Sequence, residues 1–275
     1  MKIAILGSNG MLGSCMLNKF RKTKLNVDGF VRPQFDAERP DFSLLKNYDY
    51  IINCIGIIKP YIHDNNSNEV LRATRVNAEF PHLLSHLDSK IIQIATDCVW
   101  DGKHGNYVES DPHNATDVYG KTKSIGEVHA DNFLNLRCSI IGREEKNFYS
   151  LLEWFLHQPQ NAKLNGFRNH LWNGLTTDAF ADICIGIITN DLWFSGMQHM
   201  IPSDIVTKAQ MLHIFAEHFN RPDISITDTD ATIPINRALG TQNTQRNMTL
   251  WHAAGYSNIP NVKQMITEID NDISR

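Results

Sequence analysis

The sequence lacks the long apolar runs and the charge excess that mark membrane proteins and nucleic-acid-binding proteins. No stretch approaches the roughly 18 consecutive apolar residues of a transmembrane helix. The apolar run at residues 2–6 is too short for a secretory signal peptide. The 26 lysines and arginines face 30 acidic residues, so the net charge of −4 offers no basic surface for wrapping nucleic acid. We therefore expect a cytoplasmic globular protein with neither a membrane nor a nucleic acid as partner.

Motifs for disulfides and metals are equally sparse. The chain has five widely spaced cysteines, none in a CxxC pair: Cys15, Cys54, Cys98, Cys138 and Cys184. Such cysteines are typical of small core side chains in a reducing compartment. His82 and His86 have a metal-compatible spacing on a predicted helix, but no strong third ligand accompanies them. We expect no metal site.

The sequence does contain a regular alternation of short apolar runs with stretches of helical periodicity. The predicted strands cover residues 2–6, 27–31, 50–55, 90–95 and 135–141, and the predicted helices cover residues 11–21, 69–87, 119–130 and 148–156. Near-continuous apolar strands separated by helices indicate a parallel sheet covered on both faces. Because crossover connections are right-handed, a Rossmann-type, doubly wound α/β sheet is the simplest topology.

The rhythm of the sequence changes after about residue 145. A helix, a strand and an amphipathic helix are predicted at residues 177–188, 197–201 and 207–219. We predict a dinucleotide-binding domain at residues 1–145, to which about residues 175–202 return. Residues 146–174 and 203–275 are predicted to form a smaller C-terminal substrate-binding lobe.

The first predicted strand runs directly into a glycine-rich turn, and a helix follows at once. A strand, a glycine turn and a helix N-terminus place backbone N–H groups and the positive helix end against a diphosphate. Gly7 permits the tight turn, Gly10 lets the backbone approach the phosphates, and Gly13 lets the helix pack closely on the strand. We expect the dinucleotide to be lined here by Gly7, Asn9, Gly10, Met11, Leu12 and Gly13.

The residue that separates NAD from NADP is expected at the end of the second strand, where an acidic side chain would hold the ribose 2′-hydroxyl. Here that strand runs through Phe30 and Val31 to Arg32. A guanidinium matches a 2′-phosphate better than a hydroxyl, so the sequence favours NADP(H) and leaves NAD(H) open. The alternative for Arg32 is a solvated surface charge.

A tyrosine and a lysine begin the helix predicted at residues 119–130. At positions i and i+4, Tyr119 and Lys123 share one helix face. An ammonium within roughly 4–6 Å can lower the pKa of a phenol toward the range that suits general acid–base catalysis. Tyr and Lys often share a helix face for no catalytic reason, but the strand at residues 90–95 leads into Thr96. Its hydroxyl is expected in the cleft at the carboxyl ends of the strands, where it can hold a substrate oxygen.

These motifs, in this order, resemble the extended short-chain dehydrogenase/reductases that act on nucleotide sugars, and in particular their dTDP-4-dehydrorhamnose reductase-like branch. The resemblance spans about residues 1–145 and is carried by Thr96-Asp97-Cys98-Val99-Trp100-Asp101-Gly102, Val118-Tyr119-Gly120-Lys121-Thr122-Lys123 and Val76-Asn77-Ala78-Glu79. It implies that Thr96 orients the substrate and that Tyr119 donates the proton. Lys123 would tune Tyr119 and grip the cofactor ribose, while the nicotinamide supplies hydride.

The resemblance also implies further ligands. On the cofactor side these are Asp36, Cys54, Ile55, Gly56 and Asn77. On the side of the nucleotide-sugar substrate they are Asp97, Trp172, Asn173 and Arg237, beside Thr96. The arginines that are candidates for gripping the substrate diphosphate are Arg137, Arg143, Arg168 and Arg237, because guanidinium forks match phosphate geometry. The assembly implied is a homodimer.

The chain departs from the reductase pattern at Cys98, in the loop at residues 57–63 and at Trp172-Asn173-Gly174, which leaves the sugar open. Because a 4,6-dehydratase needs an acid where Cys98 stands, dehydration is not expected. The expected activity is NAD(P)H-dependent reduction of a nucleotide-linked 4-keto-6-deoxysugar in rhamnose-like deoxysugar biosynthesis. Two alternatives stay open: an epimerase with the same Tyr/Lys pair, and a non-catalytic, reductase-like regulatory subunit such as that of methionine adenosyltransferase.

Overall fold

The computed structural model describes residues 1–144 and 148–270. In these ranges the strands are β1 (Lys2–Leu6), β2 (Asn26–Phe30), β3 (Tyr50–Asn53), β4 (Lys90–Ala95), β5 (Phe133–Arg137), β6 (Ile140–Ile141), β7 (Lys163–Phe167), β8 (His170–Trp172), β9 (Leu175–Thr176), β10 (Gly196–His199), β11 (Val206–Thr207), β12 (Ser225–Thr229) and β13 (Ile235–Asn236). The helices are α1 (Met11–Arg21), α2 (Ser67–Ala73), α3 (Phe80–Leu84), α4 (Val118–Ile125), α5 (Leu151–Leu156), α6 (Thr177–Thr189), α7 (Lys208–His218), α8 (Thr244–Ala253) and α9 (Val262–Thr267).

Six strands form one parallel sheet in the order β2-β1-β3-β4-β5-β10. Side chains of β1 alternate between two apolar cores, with Ile3 and Ile5 in one and Ala4 and Leu6 in the other, as expected for a sheet covered on both faces. Helices α1 and α6 pack together, and the α2–α3 segment packs on α4. The predicted Rossmann-type α/β fold is confirmed.

Three predicted elements are interrupted or shortened in the structure. The strand expected at residues 135–141 is split into β5 and β6, because Ile140–Ile141 leaves the large sheet and pairs with β9. The helix expected at residues 69–87 contains a π-helical segment at Thr74–Glu79 between α2 and α3. The helix expected at residues 119–130 ends at Ile125, since Gly126 caps its carboxyl end.

The later part of the chain builds smaller sheets beside the large one. Strand β12 pairs with β7 in parallel, and β8 pairs with β11 and β13. Between these elements, β10 returns to the large sheet and pairs with β5. Among the described residues, no helix combines the length and apolar character that a bilayer crossing requires.

Candidate active site

The glycine turn is fixed against the end of β2. Gly7 has φ = +75°, and the N–H groups of Gly7 and Ser8 donate to the carbonyl of Phe30 at 2.9 and 3.2 Å. A Cβ on Gly13 would lie 2.1 Å from the Gly7 carbonyl oxygen, so only glycine lets α1 pack this closely on the turn. No side chain of the described residues caps the start of α1 at Gly10. The turn and the first N–H groups of α1 therefore form a cradle suited to a diphosphate.

The end of β2 carries an exposed cluster of four charged side chains. Arg32 donates from Nε to Asp36 Oδ1 at 3.1 Å and from Nη2 to Glu38 Oε1 at 2.7 Å. Arg72, on α2, donates from Nε to the same Glu38 oxygen at 2.8 Å. The sequence reasoning found Arg32 and Asp36 but missed Glu38 and Arg72, since no local pattern joins residues 34 positions apart.

The predicted cofactor-lining turn at residues 54–56 lies against the glycine turn. A Cβ on Gly7 would approach Ile55 Cγ1 to 3.0 Å and the carbonyl of Cys54 to 3.3 Å. Asn77 holds the following residue, because its side chain accepts from the Ile57 N–H at 2.8 Å and donates to the Ile57 carbonyl at 2.9 Å. Asn77 is only 2% exposed. Its part at this site is to fix the loop after β3.

Strand β4 delivers Thr96 to the carboxyl end of the large sheet. The Thr96 hydroxyl accepts from the Cys98 N–H at 3.2 Å and donates to Asp97 Oδ1 at 3.2 Å, so it also caps the short 3₁₀ turn that follows. Burial raises the pKa of Asp97, and the positive charge of Arg237 acts against that rise. Arg237 itself donates from Nε to the Trp100 carbonyl at 3.1 Å. The structure thus gathers Thr96, Asp97 and Arg237 at one strand end.

Tyr119 lies in the first turn of α4, where the Asp117 side chain caps the helix by accepting from the Gly120 N–H at 2.7 Å. Burial raises the pKa of the Tyr119 phenol well above its usual range, and the Cys98 thiol acts in the same direction. A side-chain hydrogen bond with Thr96 acts against both. Tyr119 and Thr96 therefore share one site, and the phenol is protonated at neutral pH.

Lys123 is buried one helical turn after Tyr119, with 8% of the residue exposed. Its ammonium donates to the Ile94 carbonyl at 3.1 Å. Burial lowers the pKa of Lys123, and the charge of Glu127 acts against this. In the structure the ammonium is directed at β4 and burial dominates the pKa of the phenol, so the lowering of that pKa by Lys123 stays a prediction.

Behind Lys123 lies a buried network that the sequence analysis did not predict. Arg137 is 1% exposed and donates from Nε to Glu127 Oε1 at 3.0 Å, with a second contact between Nη2 and Oε2. His113 and His199 each direct Nε2 at the same guanidinium. Arg137 is therefore wrong as a diphosphate-gripping candidate, since its donors are already used inside the core. The sequence does place Glu127 four residues after Lys123, and this spacing is the one signal that could have drawn attention to Glu127.

The structure gives the predicted substrate residues of the later chain different surroundings. Trp172 is half-buried on β8, which pairs with β11. Asn173 is buried, and its amide donates to the Leu239 carbonyl at 2.7 Å and accepts from the Leu239 N–H at 2.8 Å. Asn173 thus positions the segment around Leu239, and its role as a substrate ligand stays a prediction. Of the arginine candidates, Arg143 forms an ion pair with Glu153, and Arg168 forms one with Asp230.

A family model described as the RmlD substrate binding domain matches residues 1–273. The chain belongs to this family. The match covers both the large sheet and the later sheets. No group of three or more potential metal ligands assembles among the described residues.

Two curated relatives carry names of different kinds, one that of an enzyme subunit and the other that of a reductase. Over 246 residues the chain is 24% identical to methionine adenosyltransferase 2 subunit beta of Bos taurus, a match that covers 80% of this chain and 73% of the relative. Over 142 residues it is 31% identical to a dTDP-4-dehydrorhamnose reductase of Aggregatibacter actinomycetemcomitans, covering 46% of this chain and 45% of the relative.

Solved structures establish the fold independently of the sequence motifs. A dTDP-4-dehydrorhamnose reductase of Clostridium acetobutylicum superimposes with a TM-score of 0.77 at 20% identity, covering 98% of both chains. A dTDP-4-dehydrorhamnose reductase of Bacillus anthracis, solved in complex with NADP, gives a TM-score of 0.75 at 16% identity and covers 96% of both chains.

Proposed function

We propose that the chain is an NAD(P)H-dependent reductase that converts the ketone of a nucleotide-linked 4-keto-6-deoxysugar to an alcohol, in deoxysugar biosynthesis of the rhamnose type. The observation that carries this proposal is the protonated phenol of Tyr119 beside Thr96 at the carboxyl end of β4, with Lys123 one turn further along α4. Family membership and the similarity to a dTDP-4-dehydrorhamnose reductase support the substrate class.

The residues present fit a dinucleotide. The Gly7–Gly13 approach leaves no room for a Cβ, which is the close helix–strand packing of a dinucleotide-binding turn, and α1 adds its positive end. Arg32 and Lys123 would meet the two ribose ends. When bound, the nicotinamide supplies the hydride. The NADP complex of the Bacillus anthracis reductase supports NADP(H) as the favoured cofactor, with NAD(H) possible.

The chain's own residues would handle the proton. The Thr96 hydroxyl orients the substrate ketone, and Tyr119 donates its phenolic proton to the ketone oxygen as general acid. Lys123 then faces a developing phenolate one turn away, and its buried ammonium stabilises that charge. An ammonium has three N–H donors, so the one used on Ile94 leaves others for the cofactor ribose.

We further propose that residues 146–174 and 203–275 supply the sugar-binding wall, with Trp172 and Arg237 as its contacts; residues 146–147 and 271–275 lie outside the described residues. The charge of Arg237 acts against the rise that burial imposes on the pKa of Asp97, which supports a cation close to Thr96. The five cysteines are unpaired, which suits a reducing cytoplasm. Light scattering would test the homodimer that the family resemblance implies.

The experiment follows NADPH oxidation against a panel of dTDP-, UDP- and GDP-linked 4-keto-6-deoxysugars. The Tyr119→Phe variant is expected to lower kcat by at least about 100-fold, because it removes the general acid, while NADPH still binds. Tyr256→Phe is the matched control, since the Tyr256 hydroxyl donates to Glu268 and neither residue belongs to the site around Tyr119. Near-normal turnover by Tyr119→Phe would remove Tyr119 from the mechanism. Epimer formation without net NADPH oxidation would indicate the epimerase alternative.

A second candidate is a non-catalytic subunit of a larger enzyme. The 24% identity to methionine adenosyltransferase 2 subunit beta over 80% of the chain favours it. Dinucleotide binding without turnover of any keto-sugar in the panel would support this candidate. Turnover that depends on Tyr119 would exclude it as the principal function.

A further inference from the structure

The charged cluster at the end of β2 places one carboxylate between two guanidinium groups. Glu38 Oε1 receives Arg32 Nη2 at 2.7 Å and Arg72 Nε at 2.8 Å. The Glu38 N–H donates to Asp36 Oδ1 at 3.0 Å, and this carboxylate also accepts from Arg32. Two cations and two anions, whose formal charges cancel, therefore share a small, partly exposed surface.

The ion pairs of this cluster contribute little to stability. The side chains of Arg32 and Arg72 are 48% and 46% exposed, and exposed ion pairs typically contribute at most about 1 kcal/mol. Hydrogen bonds from Arg72 and from Arg32 lower the pKa of Glu38, so this carboxylate keeps its charge at neutral pH. The contacts are weak enough to be exchanged for a ligand.

The position of the cluster points to the ligand group. In a Rossmann-type sheet, the residues that follow the second strand contact the adenosine ribose. Here the carbonyl of Phe30, the last residue of β2, accepts from the N–H groups of Gly7 and Ser8 in the phosphate cradle. The cluster begins at Arg32, two residues after Phe30. A guanidinium favours a 2′-phosphate, whereas a carboxylate accepts a hydrogen bond from a 2′-hydroxyl and repels a phosphate.

We propose that Glu38 sets the balance between the two dinucleotides by holding the guanidinium groups of Arg32 and Arg72. This inference rests on the proposed function, because it concerns the same cofactor site. With Glu38 ionised, a 2′-phosphate competes with it for the arginines, and a 2′-hydroxyl finds an acceptor. The chain therefore binds NADPH and NADH with a small difference in affinity.

The test measures dissociation constants for NADPH and NADH by fluorescence titration, with no sugar present. Glu38→Gln removes one negative charge from within a few ångströms of the arginines, and we expect NADPH to bind about tenfold more tightly. NADH is expected to bind no better than before. The gain should shrink as salt is raised from about 0.05 to 0.5 M, because the cluster is exposed and its charges are screened.

The matched control is Glu217→Gln, which removes an exposed, ion-paired carboxylate from α7 and should leave both constants unchanged. Arg72→Gln is expected to weaken NADPH binding and spare NADH. If the wild-type chain binds both dinucleotides but Glu38→Gln leaves their ratio unaltered, the inference about Glu38 is wrong and the proposed function stands. If the wild-type chain binds neither dinucleotide, the proposed function fails and this inference fails with it.

Discussion

The junction between α4 and the π-helical segment allows the effect of one added methyl group to be worked out. Gly126 ends α4 three residues after Lys123, and its φ of −77° suits any residue. A Cβ at this position would lie 1.9 Å from the Asn77 carbonyl oxygen and 3.0 Å from the Asn77 carbonyl carbon. Gly126→Ala therefore forces two helical segments apart without imposing backbone strain.

The size of the effect follows from the separation that must be restored. Real Cβ atoms essentially never come within 3.0 Å of a heavy atom outside their own residue and its chain neighbours, so the backbones must part by about 1 Å at a point where both are packed. Overpacking of this kind typically costs about 1–3 kcal/mol, and more where only backbone can move. We expect Gly126→Ala to lower the free energy of unfolding by about 3 kcal/mol, and thus the Tm by several degrees.

Urea unfolding followed by circular dichroism measures this loss. Gly10→Ala is the matched control, because a Cβ there would meet its nearest neighbour, the Gly7 carbonyl oxygen, at an ordinary 3.5 Å, and its stability should change by less than about 0.5 kcal/mol. Equal stability of the two variants would refute the steric reasoning. Because the displaced segments carry Lys123 and Asn77, Gly126→Ala should also bind NADPH more weakly.

Two other predictions concern buried polar groups. Asn77→Ala leaves the N–H and carbonyl of Ile57 without their partner. We therefore expect urea unfolding to show a free energy of unfolding lower by about 2–4 kcal/mol, and a fluorescence titration to show a larger dissociation constant for NADPH. For His199, burial and the charge of Arg137 lower the pKa to about 4. The unfolded chain therefore binds a proton that the folded chain does not, and stability is lost as pH falls from 6.5 to 4, on the order of 3 kcal/mol. His199→Gln should flatten this decline in urea midpoints measured across that range; an unchanged slope would assign it to other groups.

The large sheet could be predicted because its strands are nearly continuous apolar runs. Strand β1 matches its predicted bounds, and β4 does as well. The split between β5 and β6 could not be predicted, since the apolar run through residues 135–141 continues where the backbone changes partner from β4 to β9. Pairing between Ile140–Ile141 and β9 joins segments 35 residues apart, which periodicity does not report.

The candidate site divides in the same way. Local patterns predicted the glycine turn and the Tyr119–Lys123 spacing, which depend on neighbouring residues. The pairs Glu38–Arg72 and Glu127–Arg137 depend on tertiary contact and were missed. For Asn173, the sequence shows that an amide is present but not that its donor and acceptor both meet Leu239.

The sixth strand of the large sheet has a consequence for how the chain can be divided. Strand β10 covers the edge of β5 through four residue pairs, yet it is made some 60 residues after β5. A fragment stopped near residue 145 would leave β5 with its N–H and carbonyl groups exposed along one side, an open edge that invites pairing between chains. We expect such a fragment to aggregate, so residues 1–145 are not predicted to form a free-standing module.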